Sequence, residues 1–293
     1  MGRTLGAFDT AREGNPRMSA RLREMAKATE QIVAAGGWTT PDGRRTDIAQ
    51  AVARARRGTR LYGPEPVAVP AWEPVAGTTE FEVTAEGSLE AARRLAATAP
   101  VAVLNFASAR NPGGGYLNGA QAQEEALCRG SALYTCLREA PDFYAAHRAD
   151  ASPFYSDRVI HSPAVPVFRD DRGTLLDTPF EAGFLTCPAP NAGVIAQRMP
   201  GVSARVPGAL VTRAERVLEV AAAHHYRQLV LGAWGCGVFR NEPADVATAF
   251  ATHLTGGGRF ADCFERVVFA VLDRRTDSPV REAFARRFPR AES

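Results

Sequence analysis

The first part of the chain has a helical pattern of apolar positions. In residues 19–35, apolar side chains such as Leu22 and Val33 fall on roughly one face of a helix, and charged side chains fall on the other. Gly36 and Gly37 end the pattern. The spacing therefore predicts an amphipathic helix near the N-terminus.

A short hairpin and a second helix are predicted next. The sequence Pro-Asp-Gly at 41–43 predicts a turn, because proline presets φ and glycine accepts a positive φ. Residues 38–40 and 44–46 flank this turn and predict its two short strands. We expect Asp47 to cap the second helix, which runs to about Arg57.

A connector rich in proline follows the second helix. Its four prolines, at positions 64, 66, 70 and 74, exclude a regular helix or a central strand there. We place an internal boundary at this connector. Residues 1–75 are expected to form a helix–hairpin–helix extension with the connector, packed on the core, and residues 76–293 are expected to form the main domain.

Strand and helix patterns alternate through the rest of the chain. The predicted strands are 80–84, 101–106, 158–161, 183–187, 228–232 and 267–272, and the predicted helices are 88–97, 121–138, 209–225 and 244–254. Strands separated by helices imply a mostly parallel sheet with helices on both faces. The predicted fold class is therefore α/β.

Composition and charge are those of an ordinary globular protein. Of the 293 residues, 45% are hydrophobic and 23% are charged, which excludes a wholly disordered, collagen-like or coiled-coil chain. A net charge of +3 is too small to require nucleic acid or an acidic membrane as a partner.

The five cysteines form no C-x-x-C pair, so we expect free thiols in the cytoplasm. The first twenty residues lack the apolar core of a signal peptide, and no apolar stretch reaches the roughly 18 residues of a membrane span.

A glycine-rich loop follows the predicted strand 101–106. Residues 113–115 are three consecutive glycines, and a helix is predicted soon after them. Open α/β sheets bind ligands at such strand–loop–helix connections, and main chain without Cβ atoms can turn its N–H groups toward a phosphate. The triplet alone is explained at least as well by a flexible loop. It matches neither G-x-G-x-x-G nor the Walker pattern, which argues against a dinucleotide oxidoreductase or an NTPase.

Glu124 and Glu125 are adjacent in the first turn of the next predicted helix. At about 3.6 residues per turn they lie about 100° apart around the helix axis, so one can face a crevice while the other flanks it. Two carboxyl groups in different surroundings can act as an acid and a stabiliser, which glycosidic cleavage requires. The alternative is structural, because each carboxylate near a helix N-terminus contributes about 0.3–1 kcal/mol.

A second glycine-interrupted loop, residues 233–241, follows the predicted strand 228–232 and leads to Pro243 at the start of a helix. A strand, a glycine loop and a helix N-terminus again form a candidate anion site. A tight connection that needs glycine for packing explains this loop equally well. Two such loops after two strands favour one shared cleft.

Together these segments resemble a known family. Three glycines at 113–115, separated by seven residues from Gln123-Glu124-Glu125, are similar to the signature of the poly(ADP-ribose) glycohydrolases. Segments 105–112 and 232–239 resemble the bacterial type of that family. The resemblance covers nearly the whole chain. It implies a three-layer α/β/α macrodomain with a mixed, mostly parallel sheet at 76–293, to which the N-terminal extension is added.

The resemblance also implies roles for individual residues. Glu125 would be the general acid that protonates the leaving 2′-oxygen of the ribose–ribose bond, and Glu124 would hold hydroxyls of the distal ribose. The residues implied to bind the diphosphate and the distal ribose are Asn111, Gly113, Gly114, Gly115, Gln123, Gly235, Cys236, Gly237, Val238 and Phe239. No metal and no cofactor is implied.

The expected function is hydrolysis of poly(ADP-ribose) from chain ends with release of ADP-ribose. Two alternatives stay open, a non-catalytic ADP-ribose reader and a hydrolase that removes single ADP-ribose units from protein or nucleic acid. We expect the polymer or ADP-ribosylated macromolecules as substrate, no membrane partner, no obligatory nucleic acid, and a monomer.

Overall fold

The computed structural model describes residues 16–40, 42–72, 75, 77–273 and 275–289. The strands are β1 Gly37–Thr39, β2 Arg45–Asp47, β3 Arg60–Tyr62, β4 Glu80–Thr84, β5 Val101–Phe106, β6 Val159–Arg169, β7 Leu175–Cys187, β8 Gln228–Leu231 and β9 Arg266–Ala270. The α-helices are α1 Pro16–Ala34, α2 Ala49–Gly58, α3 Ser88–Ala96, α4 Gln123–Gly130, α5 Leu133–Leu137, α6 Pro141–Ala149, α7 Ala192–Arg198, α8 Val206–Ala223, α9 Pro243–Leu254 and α10 Pro279–Arg287.

A seven-stranded mixed sheet lies at the centre of the fold. Its strand order is β3-β6-β7-β5-β8-β9-β4. The four neighbouring pairs from β7 to β4 are parallel, whereas β6 pairs antiparallel with both β3 and β7. Strands β1 and β2 form a separate antiparallel hairpin. The sheet confirms the predicted α/β class with mostly parallel strands.

Helices cover both faces of the sheet. Along β5, Ala102 and Leu104 pack into a core with α8, α9 and α10, whereas Val101 and Val103 pack into a second core with α1, α2, α3 and α5. All four side chains are buried, because a parallel strand between two helical layers is covered on both sides. None of the described helices is long and apolar enough to cross a membrane.

The predicted helix 121–138 is wrong as a single helix. The chain leaves the helical conformation at Ser131, after α4, and continues as α5. Ser131 forms a β-bridge with Val167 of β6, and its hydroxyl donates to the Leu127 carbonyl at 2.7 Å. Pairing with a strand that is distant in the sequence therefore ends the helix at a position where the local sequence pattern contains no stop signal.

Two strands are longer than predicted. The strand predicted at 158–161 extends to Arg169 as β6, and the strand predicted at 183–187 already begins at Leu175 as β7, so the two form a hairpin. The sequence pattern hides β6 because Pro163 interrupts it. In the structure this proline lies at a shift in the pairing register, where a strand tolerates proline.

The described part of the predicted extension packs directly on the sheet and its helices. Helix α1 lies against α4, where the Thr29 hydroxyl donates to the Arg129 carbonyl at 2.8 Å. Strand β3 is an edge strand of the seven-stranded sheet. The domain boundary at residue 75 stays a prediction.

Some predictions for the extension fall outside the described residues. They concern residues 1–15, Pro41 of the predicted turn and Pro74 of the connector. The predicted hairpin is confirmed as β1 and β2. Ile48 rather than Asp47 occupies the N-cap position of α2, but the Asp47 carboxyl group does accept the N–H of Ala49, the first residue of the helix, at 3.0 Å.

A partly buried aromatic cluster joins β3 to β6 and to the end of α8. It consists of Tyr62, His161, His224 and Tyr226. The Tyr62 hydroxyl lies 2.7 Å from His224 Nε2, and the Tyr226 hydroxyl lies 3.0 Å from His161 Nε2. The two imidazole rings stack with centroids 3.7 Å apart. Burial, together with a smaller effect of His224, lowers the pKa of His161 to about 3.

We expect the free energy of unfolding to fall as the pH drops from about 6.5 toward 4. The unfolded chain protonates His161 near its ordinary pKa of about 6.5, whereas the folded protein does not, so acid favours unfolding by up to about 1.4 kcal/mol per pH unit. Urea unfolding at several pH values measures this slope. The slope should flatten in His161→Gln, and an unchanged slope would contradict the expectation.

Candidate active site

Three loops meet at the carboxyl ends of β5, β7 and β8. They comprise residues 107–122, 188–191 and 232–242. The three strands are parallel neighbours, so their loops leave the sheet at one edge. The Cys187 carbonyl, at the end of β7, accepts the Ala107 N–H at 3.3 Å and the Trp234 indole N–H at 2.9 Å. The two glycine loops are thus connected through the end of β7.

The first glycine loop lies directly against the two glutamates. Gly113 and Gly114 have φ values of +66° and +56°, which favour glycine. A Cβ atom on Gly114 would lie 2.6 Å from Glu125 Oε1 and 3.0 Å from Glu124 Oε2. The Gly114 N–H donates to the carbonyl of the exposed Asn111 at 3.0 Å, which closes the turn. Only main chain without a side chain can pass so close to both carboxyl groups.

Glu125 lies buried in the first turn of α4. Its Oε1 accepts the Gly115 N–H at 2.8 Å. Its Oε2 is also buried and has no hydrogen-bond partner among the residues that the structure describes. A buried oxygen left without a donor is costly in free energy. Oε2 is therefore the carboxyl oxygen of Glu125 whose hydrogen-bonding capacity is not used by the described residues.

Glu124 uses both carboxyl oxygens inside the protein. Oε2 accepts the Ser108 N–H at 2.7 Å, and Oε1 accepts the side-chain amide of Asn105 at 3.3 Å. Burial raises the pKa of Glu124 to about 8, against the opposing effect of the Ser108 N–H, and the charge of Glu125 adds to the rise. The two neighbouring carboxyl groups thus have different surroundings and different hydrogen bonds.

Gln123 connects the start of α4 to the end of β5. Its Oε1 accepts the Phe106 N–H at 2.9 Å, and its Nε2 donates to the Leu104 carbonyl at 2.8 Å and to the Ser88 hydroxyl at 3.1 Å. Both ends of the amide are bonded inside the protein. This arrangement favours a role in positioning the adjacent glutamates over the substrate contact that the resemblance implies.

The second glycine loop is fixed at its base and open at its tip. A Cβ atom on Gly235 would lie 2.4 Å from the side-chain amide of Asn241, and that buried amide donates to the Pro190 carbonyl at 2.9 Å. Val238, at the tip, is 82% exposed. Burial, with a smaller effect of a nearby glutamate, raises the pKa of the Cys236 thiol to about 12, which favours a packing role over a nucleophilic one.

Three successive N–H groups at the tip have no acceptor among the described residues. The N–H groups of Gly237, Val238 and Phe239 make no hydrogen bond to any described residue. Consecutive free N–H groups in a glycine loop form a nest for an anion. The Phe239 ring lies beside this nest, 5.9 Å from the Tyr155 ring, and its carbonyl accepts the Gly193 N–H at 2.9 Å. In the first loop, by contrast, the N–H groups of the second and third glycines are bonded inside the protein.

Comparison with known proteins connects this geometry to a family. A family model described as the catalytic domain of microbial-type PARG matches residues 26–170, from α1 through the glutamate pair into β6. The crystal structure of poly(ADP-ribose) glycohydrolase (PARG) from Thermomonospora curvata is 50% identical in sequence, with a TM-score of 0.86, over 92% of this chain and 100% of that chain. The chain belongs to the microbial-type poly(ADP-ribose) glycohydrolase family.

Two similar glycohydrolase structures contain a bound molecule. The T. curvata enzyme bound to the inhibitor ADP-HPD is 50% identical, with a TM-score of 0.83, over 92% of this chain and 100% of that chain. The enzyme from Deinococcus radiodurans in complex with ADP-ribose is 47% identical, with a TM-score of 0.73, over 81% of this chain and 97% of that chain. No curated protein sequence matches the chain.

Two buried asparagines of this glycohydrolase family member were missed as candidate site residues. Asn105 donates to Glu124 and, at 3.1 Å, to the Thr186 hydroxyl, and Asn241 packs against Gly235. The sequence does contain a signal for Asn105, since it is the one polar residue in the apolar run of β5. Asn241 has no comparable signal, because its partner carbonyl belongs to a loop far away in the sequence.

Proposed function

We propose that the chain is an enzyme that hydrolyses the ribose–ribose O-glycosidic bonds of poly(ADP-ribose) and releases ADP-ribose. The observation that carries the proposal is Glu125 Oε2, a buried carboxyl oxygen beside the glycine loop that lacks a partner among the described residues. A protein that only binds ADP-ribose has no use for an acid held in this way. Family membership supports the same reaction, because the similar solved structures are named poly(ADP-ribose) glycohydrolases.

The second glycine loop is the proposed binding site for the diphosphate. The free N–H groups of residues 237–239 can donate to phosphate oxygens, and the adjacent Phe239 ring can pack against the distal ribose. Asn111 lies exposed at the mouth of the first loop and is the proposed polar contact there. A protonated Glu124 carboxyl can donate to a ribose hydroxyl as well as accept from one. The D. radiodurans complex supports ADP-ribose as the bound unit.

The proposed reaction begins with proton transfer from Glu125 to the leaving 2′-oxygen. The bond between this oxygen and C1 of the distal ribose breaks, and its electron pair stays with the oxygen, which becomes a hydroxyl of the shortened polymer. Positive charge develops on the sugar ring. Water then adds to C1 and gives a proton to the Glu125 carboxylate, which restores the acid and frees ADP-ribose.

Incubation of the protein with labelled poly(ADP-ribose) tests the proposed function. We expect labelled ADP-ribose from the first time points, without release of free ADP-ribose oligomers, because cleavage starts at chain ends. Retention of polymer without release would indicate a reader. Release only from protein or nucleic acid that carries single ADP-ribose units would indicate the other hydrolase. Either of these outcomes would overturn the proposal.

We further propose that the enzyme acts as a monomer in the cytoplasm, with residues 76–293 as a catalytic macrodomain. Its substrate is the polymer, alone or attached to a macromolecule. All five cysteines are free thiols, which supports a reducing compartment.

A further inference from the structure

Arg129 lies buried on α4, one helical turn beyond Glu125. Residues four apart share one face of a helix, so the Arg129 and Glu125 side chains leave α4 on the same face. Burial lowers the pKa of Arg129, and the charge of Glu125 is the largest opposing effect. A buried arginine is costly unless its charge and its donors are satisfied. The negative charge that Glu125 acquires when it gives up its proton would offset the charge of Arg129.

Three successive hydrogen bonds connect Arg129 to the carboxyl group of Glu125. The guanidinium donates to the Ala120 carbonyl at 2.7 Å, and the Ala120 N–H donates to the Gly115 carbonyl at 3.1 Å. The Gly115 N–H then donates to Glu125 Oε1 at 2.8 Å. A Cβ atom on Gly115 would lie 2.7 Å from the Ala120 Cβ, so the two ends of this turn are in close contact. A displacement of Ala120 therefore also displaces the N–H that holds Glu125.

Thr29 of helix α1 contacts the main chain of Arg129 and also a second buried arginine, Arg169, which can serve as a control. The Thr29 hydroxyl donates to the Arg129 carbonyl at 2.8 Å and accepts from Arg169 Nε at 3.2 Å. The Arg169 guanidinium also donates to the Gly173 carbonyl at 3.0 Å. Arg129 and Arg169 are thus equally buried, at 8% exposure each, and both contact Thr29. Of the two, Arg129 is the one that bonds to the turn beside the acid.

We propose that Arg129 is a positioning residue for the general acid. Its guanidinium fixes the turn that places the Gly115 N–H on Glu125, and its positive charge favours the carboxylate that remains after proton transfer. This inference rests on the proposed function of Glu125. It adds that the geometry and charge of the acid depend on a side chain that does not touch the substrate.

Steady-state kinetics of Arg129→Met, Arg129→Lys and Arg169→Met on poly(ADP-ribose) test the inference. In Arg129→Met we expect kcat to fall about 100-fold, because a small misplacement of a catalytic group has an effect of that size. KM and the Kd for ADP-ribose should stay within about threefold of wild type, as for the loss of an interaction that matters only in the transition state. Arg129→Lys should recover part of kcat, and Arg169→Met should keep the wild-type kcat.

Several outcomes would overturn the inference. They are a wild-type kcat in Arg129→Met, an equal loss of kcat in Arg169→Met, or a raised KM with an unchanged kcat in Arg129→Met.

Circular dichroism and thermal unfolding check that each variant is folded. If Arg129→Met does not fold, Arg129→Lys decides, with a reduced kcat at wild-type KM as the expected result and a wild-type kcat as the contrary one. A wild-type protein that releases no ADP-ribose would overturn the proposed function as well, whereas an active wild type with an equally active Arg129→Met overturns this inference alone.

Discussion

Glu125→Gln should abolish polymer hydrolysis and preserve ADP-ribose binding. Glutamine has the same size and can still accept the Gly115 N–H through its amide oxygen, but it has no acidic proton for the leaving oxygen. General acid catalysis contributes about 10²–10⁴-fold to the rate, so kcat should fall by that factor. Release of labelled ADP-ribose measures kcat, and isothermal titration calorimetry measures the Kd for ADP-ribose.

Glu139→Gln is the matched control for this variant. Glu139 is a partly exposed glutamate that pairs with Arg56 outside the site, so the same substitution there should leave both kcat and Kd unchanged. Wild-type turnover in Glu125→Gln would show that another group supplies the proton. Glu124 would then be the first residue to examine, since its pKa of about 8 keeps it protonated at neutral pH.

Gly114→Ala should cause the second large loss of activity. The new methyl group would lie 2.6 Å from Glu125 Oε1 and 3.0 Å from Glu124 Oε2, so the loop and the carboxyl groups must move apart. A displacement of catalytic groups by a fraction of an ångström to about 1 Å can lower kcat/KM by about 100-fold. The positive φ should also lower the free energy of unfolding by roughly 1–2 kcal/mol, because alanine is strained there in the folded state.

Gly256→Ala separates backbone strain from the clash. Gly256 has a φ of +60°, close to that of Gly114, but a Cβ atom there would have no neighbour within 4 Å among the described residues. Denaturant unfolding should show a loss of stability from the strained φ in both variants, with any further loss in Gly114→Ala due to the clash, whereas hydrolysis should be lost in Gly114→Ala alone. Equal activities would mean that the close approach of the loop to the carboxyl groups has no catalytic importance.

The parallel half of the sheet could be predicted from the sequence, and the antiparallel edge could not. Strands such as β5 are continuous apolar runs between helices, which is a short-range signal. Strand β3 has only three residues, and β6 contains Pro163 and Pro166, so neither has a clear pattern. The break of the helix at Ser131 depends on a bridge to Val167, so the residues around Ser131 in the sequence do not predict it either.

The location of the candidate site could be predicted from the sequence, but the roles of the individual residues within it could not. The glycine loops and the glutamate pair are local patterns at the ends of strands, and both loops do lie at one edge of the sheet. Three-dimensional packing decides which carboxyl oxygen has no partner among the described residues. Packing also directs the Gly115 N–H to Glu125. The second loop, whose N–H groups at 237–239 have no bond to a described residue, is therefore the stronger candidate for an anion-binding site.

The edge position of β3 limits how the chain can be shortened. β3 pairs with residues 159–161 of β6, so a fragment that began at residue 76 would leave the N–H and C=O groups there open to another molecule. Open strand edges promote association between chains and aggregation. Such a fragment would also lack Thr29, whose hydroxyl anchors α4. For recombinant production, we therefore expect a fragment that begins at residue 76 to be less soluble than a chain that keeps the segment before the proline-rich connector.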